Sequence, residues 1–363
     1  MLARVTLMIP RKILAVDFGL WLTLDAEPKL SEDMLRSEKM RATLANYLLL
    51  YDQVIIPTGN IQILPVLRAM LGDQVFDELL RTKVILLVRY DQWFAYAGGG
   101  GGLGYFRIKG GERREDGGKN LGFAHFLPLE ETIDIAIRNL LPQSGPIRSS
   151  ELATLLQQNI LEIELTKDNA ALTREPYDDV LGSPYLRERL GLKKEDLNRL
   201  GNLPENKVIV FNPHRSMDRE GSKDVHSFLR VAFENFILYL ASTVGATDIA
   251  SDDGTLTIVK AKGQRYGASL EGNRAFTEIQ KISNVPDIGR GFATGSITSH
   301  QVLALRNSKQ GQEFRQWFAS GASHETAEET LRRFIEELGK PSWLEQGPAK
   351  ALRFVTTNGI GLL

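Results

Sequence analysis

The chain contains no cysteine. That absence removes disulfides, zinc–thiolate sites and cysteine nucleophiles together, and it suits a reducing cytoplasm. Charge imbalance is also missing: 44 Lys and Arg stand against 45 Asp and Glu, for a formal net charge of -1. A dedicated nucleic-acid binder carries a basic excess over at least one domain, so nucleic acid is not favoured as a partner and only a local basic patch is left open. Nor is there a long hydrophobic run. FILYLASTVGA, the most apolar helical stretch, is well short of the ~20 residues of a bilayer span, so no transmembrane segment is expected. Arg4, Pro10, Arg11 and Lys12 interrupt the apolar character of the N-terminus before a signal-peptide core can form. The expected location is the cytoplasm.

Several catalytic motifs are missing too. No G-x-S-x-G nucleophile elbow occurs, and no Gly-Lys-Ser or Gly-Lys-Thr completes a phosphate loop. His324 and Glu325 open HETAE without the second histidine of a zinc helix; an acidic first turn that complements the helix dipole explains them. Asp252 and Asp253 precede Gly254 in what reads as the turn of a hairpin through TDIASDDGTLTIVKAK. No metal site is assigned, and His214, Asp218, Asp224 and His226 match no closed ligand spacing. No cofactor is indicated.

What remains is an ordinary globular composition, 42% hydrophobic and 25% charged over 363 residues, enough for one large core or two smaller ones. The reading is mixed α/β. The apolar runs KILAVDF, QVIIP and KVILLVRY predict strands, and a helix capped by Ser31 and the pair LPVLRAML and DQVFDELLR lie between them. This is the pattern of a Rossmann-like βαβαβ unit with parallel strands over residues 1–97. A glycine-rich segment, 98–122, is expected to be mobile, because KGGERREDGGKN offers nothing apolar to hold it to a core. Residues 123–206 read as helical, with SSELATLLQQNILEIEL as one helix and Ser183–Pro184 opening another. Residues 207–363 read as an α+β half, in which the apolar spacing of DVHSFLRVAFENFILYLAST marks a central helix and NVPDIGRGFATGS a long loop.

Two places carry candidate chemistry. In the first, Gly98, Gly99, Gly100, Gly101, Gly102 and Gly104 sit between the aromatic, strand-like flanks QWFAYA and LGYFRI. A phosphate loop joins a strand to a helix, so these flanks favour a hairpin joined by glycine, either a passive connection or a lid over a ligand. Trp93, Phe94, Tyr96, Tyr105 and Phe106 would then offer a stacking surface. The second is the exit of VIVFNP, where His214, Arg215, Ser216, Asp218, Arg219, Ser222 and Lys223 precede a helix. Ligands of open α/β sheets bind at the carboxyl ends of strands, and arginine forks, a lysine and a helix N-terminus suit phosphate; a solvated loop is the plain alternative.

Asp17 ends the first apolar run, as an aspartate does in PIN-type metal nucleases and in actin-like ATPases, and the segment resembles both. Leu20 stands where the ATPase pattern has a hydroxyl residue, and VIIPTGNIQ lacks the acidic residue a PIN nuclease would place there. Arg306, Arg315 and Trp317 offer a cationic and aromatic surface for nucleic acid or an acidic partner, unless Phe314 and Trp317 pack and the arginines are solvated or paired. Three function classes follow: a binding or regulatory protein for a phosphorylated small molecule or nucleotide, a non-enzymatic component of a multi-protein bacterial system, and a metal-dependent nuclease with an incomplete PIN-like part. Few polar groups converge from separate elements, which favours binding over catalysis.

Overall fold

In the computed structural model, described at residues 10–16, 38–58, 63–90, 94–100, 103–109, 128–140, 146–163, 170–190, 208–211, 231, 234–250, 258, 261–262 and 288–320, helices and strands are mixed along the chain. The first half runs β1 (Lys12–Leu14), α1 (Glu38–Leu50), β2 (Gln53–Pro57), α2 (Ile63–Leu71), α3 (Asp73–Arg81), β3 (Ile85–Tyr90), β4 (Phe94–Gly100) and β5 (Leu103–Lys109). Next come α4 (Leu129–Leu140), α5 (Pro146–Asn159), β6 (Ile160–Ile163), α6 (Ala170–Gly182), α7 (Pro184–Leu190) and β7 (Val208–Phe211). The remainder is α8 (234–243), β8 (Asp248–Ile249), α9 (Ile288–Ala293), α10 (Ser299–Asn307) and α11 (Lys309–Ser320).

Chain contacts divide these elements between one unit of residues 1–88, 128–161 and 271–363 and another of 89–127 and 162–270. In the first unit β1 pairs with β2 and β2 with β3, both in parallel, with Ile13 opposite Val54 and Ile55 opposite Leu86. They run side by side in the order β3-β2-β1. Val54, Ile55, Ile56, Ile85 and Leu87 are fully buried, as a parallel strand covered on both faces requires, and for that reason the sequence shows unbroken apolar runs there. Gly72 separates α2 from α3 with φ 75, a left-handed conformation that glycine adopts without strain.

Three stretches differ from the sequence reading. The apolar periodicity predicts one helix through Ile163, but the helix stops at Asn159 and ILEI becomes β6. Isoleucine-rich segments pack well on a pleated surface, so the β-branched residues prevail over the helical spacing. NVPDIGRGFATGS predicts a loop, yet Ile288–Ala293 is helical. Its glycines serve close packing: a Cβ on Gly289 would lie 2.9 Å from the carbonyl of Ala42 in α1. TLTIVKAK predicts the second arm of a hairpin, but Ile258, Ala261 and Lys262 are helical, and the spacing that buries Ile258 and Ala261 is that of a helix face.

In the second unit Ser183 caps α7, its Oγ accepting from the Leu186 N–H at 3.1 Å, as the Ser-Pro signal predicts. Val231, Phe236, Ile237 and Leu240 are buried along the helical face that the sequence periodicity marks. Among the described residues no helix is long and apolar enough to cross a membrane.

Candidate functional site

Aromatic and β-branched residues in β5 (LGYFRIK) and β7 (VIVF) suit strands, and β4 pairs with β5 through its glycines. The three form an antiparallel sheet of order β4-β5-β7. Its register places Gly98 opposite Tyr105, Gly99 opposite Gly104 and Gly100 opposite Leu103. Four of the candidate glycines are therefore strand residues in a hairpin, and Gly101 and Gly102, between its arms, lie outside the described residues. On the other side of β5, Gly104 faces Phe211, the last residue of β7. The glycine end of the hairpin and the exit of β7 thus lie at the same end of one sheet. Two features separated by a hundred residues of sequence are brought together by strand register alone.

The segment that leaves this end carries His214, Arg215, Ser216, Asp218, Arg219, Ser222 and Lys223, and all seven lie outside the described residues. So do Asp17, Asp224, His226, Asp252, Asp253, His324 and Glu325. Among the described residues no group of three His, Asp or Glu side chains is placed to hold a metal ion.

Arg306 does not belong to a cationic surface. It is 4% exposed and donates from Nη1 to the carbonyls of Leu48 and, at 2.7 Å, Tyr51, and from Nη2 to that of Asp52 at 2.8 Å. These acceptors lie at and just beyond the C-terminus of α1, where carbonyls lack helical partners and the helix dipole favours a cation. Burial, then the neighbouring Arg315 cation, lowers the Arg306 pKa to about 9 against the opposing pull of Asp52. Arg315 is held in turn, its Nη1 donating to the Arg306 carbonyl at 2.8 Å and its Nε lying 3.6 Å from Asp52 Oδ1; burial lowers its pKa as well. Phe314 packs beside them, 5% exposed. This cluster fastens α10 and α11 to the α1–β2 connection.

Sequence reasoning misses a polar cluster in the second unit. Lys262 Nζ lies 2.7 Å from both Glu175 Oε2 and Asp179 Oδ2, and the Asp179 side chain is fully buried. Asn235 donates to Asp179 Oδ2 at 2.9 Å and to the Val231 carbonyl at 3.0 Å. Glu175 and Asp179 are four residues apart on α6, so one ammonium reaches both. The signal was faint: Asn235 falls beside the apolar stripe of its helix, where a polar residue needs a partner. With one lysine bridging both carboxylates and an amide donating to Asp179, the cluster joins three segments of the chain.

The first unit also has a groove of about 470 Å³ between α2–α3 and α5, lined by Arg68, Asp77, Arg81, Glu151, Thr154 and Gln158 among others. Arg68 Nε holds Asp73 at 2.5 Å and Arg81 Nη1 holds Glu78 at 2.9 Å, so both guanidinium groups on this wall have local carboxylate partners. Its lining mixes both signs of charge and selects no ligand class. No protein-family model, no characterised protein and no solved structure matches the chain.

Proposed function

We propose that the protein binds a phosphorylated small molecule or nucleotide where β7 gives way to the basic segment after Phe211, as a cytoplasmic binding or regulatory protein. The observation that carries this reading is the Gly104–Phe211 register, which brings the glycine hairpin to the strand exit from which Arg215 and Arg219 follow. Arginine forks recognise phosphate oxygens in two-point geometry, and glycine next to them allows the backbone to approach the ligand closely. In this reading the hairpin end acts as a lid, and the parallel β1-α1-β2-α2-α3-β3 arrangement is a Rossmann-like scaffold. Thermal-shift titration of the full chain against nucleotides and phosphorylated metabolites tests it, because a ligand specific for the native state raises the melting temperature with concentration. A shift that disappears in both Arg215→Ala and Arg219→Ala is the expected result. The reading is overturned if no phosphorylated ligand gives a shift, or if both variants respond as the parent does.

A further inference from the structure

Strand register divides the residues of the β4-β5-β7 sheet between two faces, because directly opposed residues share a face and successive ones alternate. One face carries Ala95 and Ile108; Ala97, Phe106 and Ile209; and Gly99, Gly104 and Phe211. It has no polar side chain, the composition of the side of an antiparallel sheet that packs on a core. The other face carries Phe94 opposite Lys109; Tyr96 opposite Arg107 and Val208; Gly98 opposite Tyr105 and Val210; and Gly100 opposite Leu103. Both cations and both tyrosines of the sheet fall on this second face. In two successive rows an aromatic residue directly opposes a cation.

We infer that this second face binds single-stranded nucleic acid. Unpaired bases stack on aromatic rings whatever their sequence, and lysine and arginine hold the phosphates between them. Rows on one face of a strand recur about every 7 Å, so Phe94, Tyr96 and Tyr105 form a stepped series along β4 and β5, not a single contact. Gly98 shares a row with Tyr105 and adds no side chain of its own there, so a base can lie close to the backbone. The balanced charge of the whole chain does not oppose this, because the basic residues concern one face; it implies modest, salt-sensitive binding. An amphipathic hairpin of this kind also raises the question of a membrane. Strands of 7 residues, β4 and β5, fall short of the about 9–11 that a membrane-spanning strand needs, and the charges share rows with the aromatics, where a membrane strand would separate them into girdles.

The inference uses no residue of the basic segment after Phe211 and stands independently of the function proposed above. Its test is fluorescence anisotropy of the full chain with labelled oligodeoxythymidine and oligouridine of about a dozen nucleotides, matched duplex, and vesicles containing anionic lipid. Single strands should bind at low salt, with a slope of log affinity on log salt near -1.4 if Arg107 and Lys109 each hold one phosphate, since each contributes about 0.7. Tyr96→Ala should weaken binding roughly 5- to 150-fold while Tyr96→Phe retains it. Arg107→Gln should reduce the magnitude of the slope by about 0.7, and this variant carries the test if Tyr96→Ala fails to fold. Absence of binding at low salt overturns the inference. So does binding of duplex as tight as of single strands that Tyr96→Ala leaves unchanged, or binding to vesicles without binding to oligonucleotides.

Discussion

Replacing Arg306 with alanine should unfold much of what joins the C-terminal helices to the first sheet. The side chain donates to three backbone carbonyls, those of Leu48, Tyr51 and Asp52, and is 4% exposed. A hydrogen bond to a charged group is worth about 1.5–3 kcal/mol net, but holding the cation away from water works in the opposite direction, and the lowered pKa of about 9 reflects that cost. The net stabilisation by the intact residue is therefore smaller than the sum of its bonds. Truncation is a different quantity, because it leaves the buried carbonyls of Leu48 and Tyr51 without their donor at about 1–3 kcal/mol each, and the expected loss is about 3–5 kcal/mol. Urea denaturation of parent and variant at pH 7, followed by circular dichroism, measures it. Arg306→Lys should lose less, since an ammonium keeps the charge at the helix terminus but lacks the planar fork that spans three acceptors. The pH dependence has a defined sign. The folded pKa of about 9 lies below the ordinary arginine value, so above about pH 9 the unfolded chain binds more protons and this group's contribution to stability rises with pH. Both values lie above neutrality, so the difference between parent and variant should be constant from about pH 6 to 8. A loss below about 1 kcal/mol, or a difference that changes across that range, would refute the assignment of Arg306 as a charged tie between these segments.

Two further substitutions probe packing and charge. Gly289→Ala should lower stability by about 1–3 kcal/mol, because the new Cβ would lie 2.9 Å from the Ala42 carbonyl; Gly72→Ala, with nothing within 4 Å, should cost only the left-handed backbone penalty of about 1–2 kcal/mol, and Gly72→Asn less still. Melting temperatures compare the three, and an equal fall in Gly289→Ala and Gly72→Asn would count against close approach of α9 to α1. Lys262→Met should destabilise the second unit by about 3–5 kcal/mol by leaving the buried Asp179 carboxylate without its cation. Hydrogen exchange along α6 and α8 reads the effect locally, and unchanged protection there would show that the cluster is not a tie.

How much of this was legible in the sequence depends on which force dominates at each position. The strands at Ile13 and Leu14, at VIIP and at ILLV are legible as parallel strands because burial on both faces leaves no polar position to interrupt them, although β1 stops short of Val16, which is helical, and Ser183 is legible as a cap because its role is local. Ile288–Ala293 is not, since a glycine that permits close helix contact and a glycine that loosens a loop are the same letter; only the position of Ala42 distinguishes them. Arg306 and Lys262 are illegible for a related reason. A charged residue on a helix is read as solvated unless its partners are known, and here those partners lie more than 250 and more than 80 residues away in the chain. The glycine run falls between these cases. Its flanks read correctly as a hairpin, but the reading stops at the turn. What gives the run meaning is β7, which sets Phe211 beside Gly104 and Val208 beside Arg107. That third strand adds Ile209 and Phe211 to the apolar side of the hairpin and Val208 and Val210 to the side of tyrosine and arginine. A one-residue slip of β7 would exchange its faces, putting Phe211 and Ile209 with the tyrosines. The β5–β7 register is thus the physical premise of the proposed ligand site, while the tyrosine and arginine face follows from the β4–β5 register. Cross-linking cysteines at 104 and 211 tests the β5–β7 register directly: the pair should form a disulfide, and a pair at 103 and 211 should not, whereas the reverse would remove the ground for the proposed ligand site.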